Sequence, residues 1–285
     1  MKEAVMEEGF LKLTVVGLGL MGGSFALALK GFKNCRITGY DRVKEVREEA
    51  LARGVIEEAV DSLESAVSEA DLVIFCTYPE GIIHDIRRTA GVMKTNAVIT
   101  DICGVKQPIM SALPTDLDYI GLHPMAGKEV DGLANAEAGL FQNAGFILVP
   151  HTSYRQESMD LLRELALYVG AGSICVNPAP VHDRIIAYTS DLMHIAAVAL
   201  CRSYPSDMTR SHTAGAFRDC TRVANINADL WTDLLLLNKQ NIIPFLSEYI
   251  SNLSSFKEAL INGEHSFIHD FLETACNNKK TMQQL

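Results

Sequence analysis

The sequence is poor in the features that would assign it to several common classes. Its seven cysteines (Cys35, Cys76, Cys103, Cys175, Cys201, Cys220 and Cys276) are odd in number, widely spaced and never form a C-x-x-C pair. That pattern argues against a disulfide frame or a zinc site and for reduced thiols, and no metal is expected. No lysine and arginine cluster offsets the formal charge of −10, so a nucleic-acid surface is not expected either. No apolar run reads as long enough to span a membrane, and residues 1–9 are too acidic and too short for a signal peptide. A cytoplasmic protein with no membrane partner is the expectation. Aromatic residues make up only 7%, with one tryptophan, and there is no internal repeat or low-complexity tract. What remains is an ordinary globular composition, 48% hydrophobic and 21% charged over 285 residues, enough for two packed units.

The most informative stretch is T-V-V-G-L-G-L-M-G-G-S at 14–24. An apolar run over 11–16, short enough for a buried strand, stops at a glycine triplet, and 24–29 then carries a helix-like apolar face. In such a strand–turn–helix each glycine has its own task. Gly17 allows the turn, Gly19 lets a pyrophosphate approach the backbone, and Gly22 lets the helix pack close to the strand. With Leu18, Leu20 and Met21 they form the expected cofactor turn, where the helix start offers free N–H groups and a positive dipole end to phosphates. A second strand over 35–40 ends at Asp41, nineteen positions after Gly22, close to the spacing at which an acid meets the adenosine ribose. A carboxylate there accepts hydrogen bonds from the ribose hydroxyls and repels a 2′-phosphate. NAD is therefore expected over NADP, with Arg42 the one neighbour that would suit the phosphate.

Further strands are expected over 58–60, 71–76, 97–100, 119–122, 146–149 and 173–176, and helices over 43–53, 63–69, from about 80, 106–113 and 154–169. The alternation indicates an α/β, Rossmann-type doubly wound sheet over residues 1–176. Thr77, Asp101 and His123 each fall just past a strand end, the edge where such sheets hold ligands. Thr77 and Asp101 are accordingly expected at the cofactor. From 178 onward only helices are expected, over 181–201, 214–224, 228–238, 242–260 and 266–277. The four leucines at 234–237 are too apolar to stay in water. Residues 177–285 are thus expected to form an all-helical domain that buries such runs between two copies, giving a homodimer and leaving no length for a further regulatory domain.

His123, in G-L-H-P-M-A-G, is held at a strand end by rigid neighbours, and an imidazole titrating near neutrality suits accepting a proton from a hydroxyl. His194 lies in an apolar helix near Asp191; on the residues alone it is either a hydrogen-bonded core histidine or a ligand. Arg218 and Arg222 are four apart on one helical face, with Asp219 three before Arg222 and able to orient it. A guanidinium fork matches the two oxygens of a carboxylate. The alternative, a surface ion pair, is disfavoured by the apolar flanks at 214–217 and 223–224. His265 and His269 share a face with no third ligand evident and read as surface residues.

In order and spacing, GLGLMGGS (17–24), Asp41, DICGVK (101–106), HPMAGKE (123–129), the turn at 190–194, FRDCTRVA (217–224) and Trp231 resemble the prephenate dehydrogenases of tyrosine biosynthesis. The resemblance covers nearly the whole chain. It implies a Rossmann-type domain followed by a helical dimerisation domain, NAD as cofactor, and prephenate or its amine counterpart arogenate as the small-molecule substrate. It also implies that His123 accepts a hydrogen bond or proton from the substrate's ring hydroxyl. By the same resemblance Arg222 grips a substrate carboxylate with support from Asp219, while His194 and Glu129 line the pocket. Three departures stand out. Cys103-Gly104 stands where many relatives have Gly-Ser, Asp191 replaces the usual first histidine of the 190–194 turn, and Lys128 replaces a smaller polar residue and is expected to add to anion recognition. The missing serine raises a rival from another class, a catalytically silent NAD-binding regulator. The enzyme rival on a similar plan is a β-hydroxyacid or imine reductase.

Overall fold

The computed structural model describes residues 10–282, so residues 1–9, which read as no signal peptide, lie outside the described residues. Five strands, β1 (Lys12–Val16), β2 (Arg36–Tyr40), β3 (Glu58–Ala59), β4 (Leu72–Phe75) and β5 (Val98–Asp101), form a parallel sheet in the order β3-β2-β1-β4-β5. Every residue of β4 is buried, as an unbroken Leu-Val-Ile-Phe run requires of a strand covered on both faces. Helices α1 (Leu20–Ala28), α2 (Lys44–Ala52), α3 (Leu63–Ser68) and α4 (Pro79–Thr89) make the crossovers. The strand order reverses between β1 and β4, and the carboxyl ends of those two strands border the crevice in which this architecture binds ligands.

A second sheet contains β6 (Ile120–Pro124), β7 (Gly145–Pro150) and β8 (Ser173–Val176), and a single parallel bridge, Ile99 to Tyr119, joins it to the first. The short helix α5 (Gln107–Ala112) precedes β6, and α6 (Gln156–Tyr168) links β7 to β8. Strands β6 and β7 run antiparallel, whereas β7 and β8 are parallel. The sheet is therefore not wholly parallel. The reason is the segment 125–144, which carries one short 3-10 helix, Leu133–Asn135, and a run of turns, and folds back over α1 instead of supplying a crossover helix. Phe141 and Phe146 hold it there, with ring centroids 4.2 and 6.5 Å from that of Phe25 in α1. Each of these buried rings contributes roughly 1.5–3 kcal/mol. The Glu137 N–H also donates to Ser24 Oγ at 3.0 Å.

Beyond Val176 the described chain is helical: α7 (Ala179–Ile186), α8 (Leu192–Arg202), α9 (Gly215–Thr221), α10 (Ala228–Leu237), α11 (Lys239–Asn262) and α12 (His265–Met282). A π turn, Ala187–Asp191, fuses α7 and α8 into one 24-residue helix, Ala179–Arg202, long and apolar enough by composition to cross a membrane. This corrects the expectation that no run reaches that length. The helix is nonetheless tied to the rest of the chain by buried ionisable groups, Asp183 through the backbone of Lys106 and Gln107 and Asp191 through Asn238. The leucines at 234–237 also differ from expectation. Leu234 and Leu237 pack on the sheet core of their own chain, and of the four only Leu236 is exposed. The larger open apolar surface lies on α11 and α12, with Ile243, Ile250, Leu253, Leu260, Phe267 and Leu272.

Candidate active site

The turn between β1 and α1 has the shape a dinucleotide pyrophosphate needs. Gly17 adopts a φ of 91°, and a Cβ there would lie 2.9 Å from both the Cys76 carbonyl oxygen and Thr77 Cγ2. At Gly22 a Cβ would lie 1.8 Å from the Gly17 carbonyl oxygen, so only glycine permits this approach of helix to strand. Nothing approaches within 4 Å of a Cβ built on Gly19, which leaves that backbone open to a ligand. Asp41 follows β2 with its carboxylate fixed by two backbone donors, Leu18 N–H on Oδ2 and Val43 N–H on Oδ1, both at 2.9 Å. Each oxygen retains a second lone pair for a ribose hydroxyl. Thr77, at the end of β4, holds a buried hydroxyl oxygen with no protein partner, a polar atom suited to a ligand at this edge.

Asp101 departs from its expected role. Its carboxylate is fully buried and taken by protein: Lys106 Nζ and the Cys103 N–H donate to Oδ1 at 2.7 Å each, and the Tyr119 hydroxyl donates to Oδ2. Lys106 Nζ donates also to the Leu122 carbonyl at 2.9 Å. Asp101 thus anchors β5 to β6 from inside and has no face left for a cofactor. Gly121 makes room for the lysine stem, since a Cβ there would lie 2.7 Å from Lys106 Cδ.

His123, near the end of β6, is partly buried above this ion pair. Its Nδ1 lies 2.8 Å from Nε2 of His182 on α7, and His182 Nδ1 lies 2.7 Å from Asp183 Oδ1. Asp183 in turn accepts the Lys106 N–H on Oδ1 and the Gln107 N–H on Oδ2, both at 2.9 Å, which closes the start of α5. Burial first, then the neighbouring His182 and Lys106, hold the His123 imidazole well below the usual histidine range, so it is neutral near pH 7. Burial lowers the pKa of His182 as well, against the opposing effect of the hydrogen bond it donates to Asp183. On the other side of the His123 ring is Gly104, where a Cβ would stand 3.9 Å from His123 Nε2 and 3.7 Å from Leu234 Cδ2 of α10.

The same helix leads on toward His194 and Arg222. Trp231, three residues before Leu234, stacks on His194 of α8 with centroids 3.7 Å apart and planes at 31°. His194 Nδ1 donates to the Ser190 carbonyl at 2.9 Å, leaving Nε2 unengaged by that bond, and burial lowers its pKa. Arg222 and Glu129 are close enough to influence the charge of His194, and they pair with each other through Nη1 and Oε1 with the arginine exposed; α9 buries none of its residues, so the covered helix expected from the apolar flanks is not what the structure shows. Asp219 was expected to orient Arg222; instead it stays exposed, because α9 ends at Thr221 and Arg222 turns toward the 125–144 segment. Lys128 pairs with Glu137 at 2.7 Å on the surface rather than facing the cleft with a free charge. Asp191 is buried and accepts from Asn238 Nδ2 at 2.7 Å; burial raises its pKa to about 6. Two further contacts clip the 125–144 segment to the helical part, Asn225 Nδ2 on the Glu129 carbonyl and Asn227 Nδ2 on Asp131 Oδ2, and Asn227 Nδ2 also reaches the Tyr78 hydroxyl before α4, each at 3.1 Å.

Residues 25–175 match the family model described as prephenate dehydrogenase, nucleotide-binding domain, and residues 178–274 match prephenate dehydrogenase, dimerization domain. The chain belongs to the prephenate dehydrogenase family. It is 32% identical over 276 residues to a prephenate dehydrogenase of Bacillus subtilis (strain 168), covering 92% of this chain and 74% of that relative. With a cyclohexadienyl dehydrogenase of Zymomonas mobilis it shares 30% over 269 residues, covering 91% and 92%. Among solved structures, the prephenate dehydrogenase from A. aeolicus in complex with hydroxyphenyl propionate and NAD+ aligns with a TM-score of 0.84 at 25% identity, over 96% of this chain and 99% of that one. Synechocystis arogenate dehydrogenase aligns with a TM-score of 0.78 at 25% identity, over 95% and 100%. As in other members of the prephenate dehydrogenase family, a nucleotide-binding α/β unit precedes a helical one, and NAD is the cofactor that the Gly17–Asp41 cradle accommodates.

Two residues of this prephenate dehydrogenase family site were not picked out from the sequence, His182 and Asp183. The signal was present: three adjacent ionisable residues, His182, Asp183 and Arg184, interrupt an apolar helix just after Pro178-Ala179-Pro180, at the junction between the sheet and the helices. One other polar cluster is seen among the described residues, His269, Asp270 and Glu273 on α12, with ligand atoms within 4.8 Å of one another. It supplies the third group that was not evident beside His269, but all three are exposed on one helix, and such clusters are common without an ion.

Proposed function

We propose that the chain catalyses the NAD-dependent oxidative decarboxylation of prephenate to 4-hydroxyphenylpyruvate, acting as a homodimer. The observation that carries this reading is the placement of His123 beside Gly104 and Leu234 at one end of α10, and of His194, stacked on Trp231 of the same helix and close to Arg222, at the other. Gly17, Leu18, Gly19, Leu20, Met21, Gly22, Asp41 and Thr77 would hold the dinucleotide, which when bound supplies a hydride acceptor for the carbinol carbon. His123 withdraws the hydroxyl proton of that carbon. Loss of the ring carboxylate as carbon dioxide returns its bonding pair to the ring, which becomes aromatic, and the ring oxygen takes the proton back from His123 to give the phenol. Arg222 takes the remaining carboxylate in place of Glu129, with which it pairs in this structure. His194 and Trp231 form the wall between. The protein's own share of the work is mainly position: the carbinol hydrogen must be held against the nicotinamide while water is kept out. The open apolar face of α11 and α12, in the span that matches a dimerization domain, supports the pairing of two copies.

Arogenate is the second reading, since it differs only in an amine where prephenate has a ketone. Asp191, the acid that would have met an ammonium group, is buried and engaged with Asn238, which favours prephenate. Purified protein with NAD should generate reduced-cofactor absorbance with prephenate faster than with arogenate. The opposite order reverses the substrate assignment, and no signal with either would leave a nucleotide-binding regulator. Arg222→Gln should raise the KM for prephenate about 10- to 100-fold, the equivalent of ~1.5–3 kcal/mol for a hydrogen bond to a charged group, with kcat little altered. An unchanged KM would remove Arg222 from carboxylate binding.

Gly104→Ser offers a third check. Its Cβ meets only ordinary contacts, and a hydroxyl there comes within reach of His123 Nε2. Stability should stay within ~0.5 kcal/mol, and kcat should rise by up to about tenfold if the added hydroxyl bridges base and substrate. A large drop in melting temperature, or a kcat below that of the parent chain, would contradict the open space beside the imidazole.

A further inference from the structure

We propose that His182 and Asp183 act as positioning residues that fix the tautomer of His123, placing its hydrogen on Nδ1 and leaving Nε2 as the base. This inference rests on the reading of His123 as the proton acceptor. It follows from a count of donors and acceptors along three side chains. An ionised carboxylate only accepts, and Asp183 already accepts two backbone N–H groups at the start of α5, so the 2.7 Å contact with His182 requires the hydrogen on His182 Nδ1. Because burial keeps His182 neutral, its Nε2 is then bare and can only accept. The 2.8 Å contact with His123 in turn requires the hydrogen on His123 Nδ1. One nitrogen is left bare at the end of the series, His123 Nε2, and it is the one on the side of Gly104.

The same order serves the charged state. When Nε2 takes the substrate proton, the ring becomes an imidazolium whose Nδ1–H still points at His182 Nε2. Asp183 lies behind it as the compensating negative charge, and no second proton has to move. The arrangement follows the logic by which a buried acid orients a catalytic histidine, with a second imidazole inserted between them. It also gives the missing hydroxyl at Gly104 a different weight. The base is oriented from behind, by the helical part of the chain, and needs no side chain in front to hold its ring.

Two substitutions separate position from packing. In His182→Asn the amide nitrogen replaces Nδ1 and keeps the bond to Asp183, but the side chain falls short of His123. In His182→Gln the amide oxygen occupies the Nε2 position and can accept from His123 Nδ1–H. Imidazole 15N chemical shifts of the resting protein, assigned by comparison with His123→Asn, should show hydrogen on His123 Nδ1 in the parent chain and in His182→Gln, and mixed tautomers in His182→Asn. In the steady state His182→Asn should lose roughly 10- to 100-fold in kcat with KM within about twofold, and His182→Gln should recover most of the loss. Hydrogen on His123 Nε2 in the parent chain, full kcat in His182→Asn, or equal impairment of the two variants would overturn the proposal. The tautomer measurement needs no turnover, so a parent chain that carries the Nδ1 hydrogen but acts on neither substrate defeats the dehydrogenase reading and not this one.

Discussion

Replacing His123 by asparagine should lower kcat by about 10²–10⁴-fold, the contribution of a positioned general base, while NAD binding changes by no more than about twofold. The amide keeps a polar group near the end of β6 but cannot hold a proton at working pH, and the cofactor cradle at Gly17–Asp41 is built from other strands. Steady-state kinetics with a parallel NAD titration separate the two effects. A variant that retains a tenth or more of the parent kcat would take His123 out of the mechanism. The pH profile gives an independent reading of the same group. Its pKa is depressed by burial, then by His182 and Lys106, so the unprotonated form persists when the solution is made acidic. kcat/KM should stay level as pH falls through about 6.5, the ordinary histidine value, and decline only below it. An acid limb at or above that value would mean that the imidazole is better solvated than its surroundings indicate.

The largest effect on stability is expected at Asp101. Asp101→Asn leaves the Lys106 ammonium fully buried with a carbonyl and an amide for company, and such half-pairs cost about 3–5 kcal/mol. At roughly 2–4 °C per kcal/mol for a chain of this size class, the melting temperature should fall on the order of 10 °C. The double variant Asp101→Leu with Lys106→Met should recover much of that loss, because it removes both charges together and leaves no uncompensated ion. Thermal denaturation of the three proteins decides the matter. If Asp101→Asn melts within about 1 °C of the parent, the buried pair is not what joins β5 to β6.

Much of this molecule could be read from its residues because the signals were local. The glycine turn, the strand ends at Val16 and Tyr40, the buried strand over 71–76 to within one residue at each end, and the helices after Pro178 follow from periodicity and from residues whose conformational demands are their own. The misreadings share a cause, which is that they depended on partners distant in the chain. Asp101 occupies a strand end, where a ligand-binding acid would be, and only the position of Lys106 and Tyr119 shows that its oxygens are spoken for. Asp219 is three residues from Arg222, a spacing that favours contact on a continuing helix, but the helix stops at Thr221 and Glu129 takes the guanidinium from across the cleft. Lys128 looked like a cation for the substrate until Glu137, nine positions on, neutralised it. His182 is the reverse case: a buried histidine beside an acid has no meaning until β6 brings His123 against it.

Asp183 has one carboxylate and two clients, the start of α5 in the sheet-bearing part and the ring of His182 beside it. His182 and Asp183 sit side by side on α7, so a shift of that helix would part Asp183 from the start of α5 and His182 from His123 together. On the tautomer assignment proposed above, His123 therefore gains its Nδ1 partner only once α7 has docked beside β6. A folding intermediate with a formed nucleotide cradle and an undocked helical part should bind the dinucleotide and remain chemically idle.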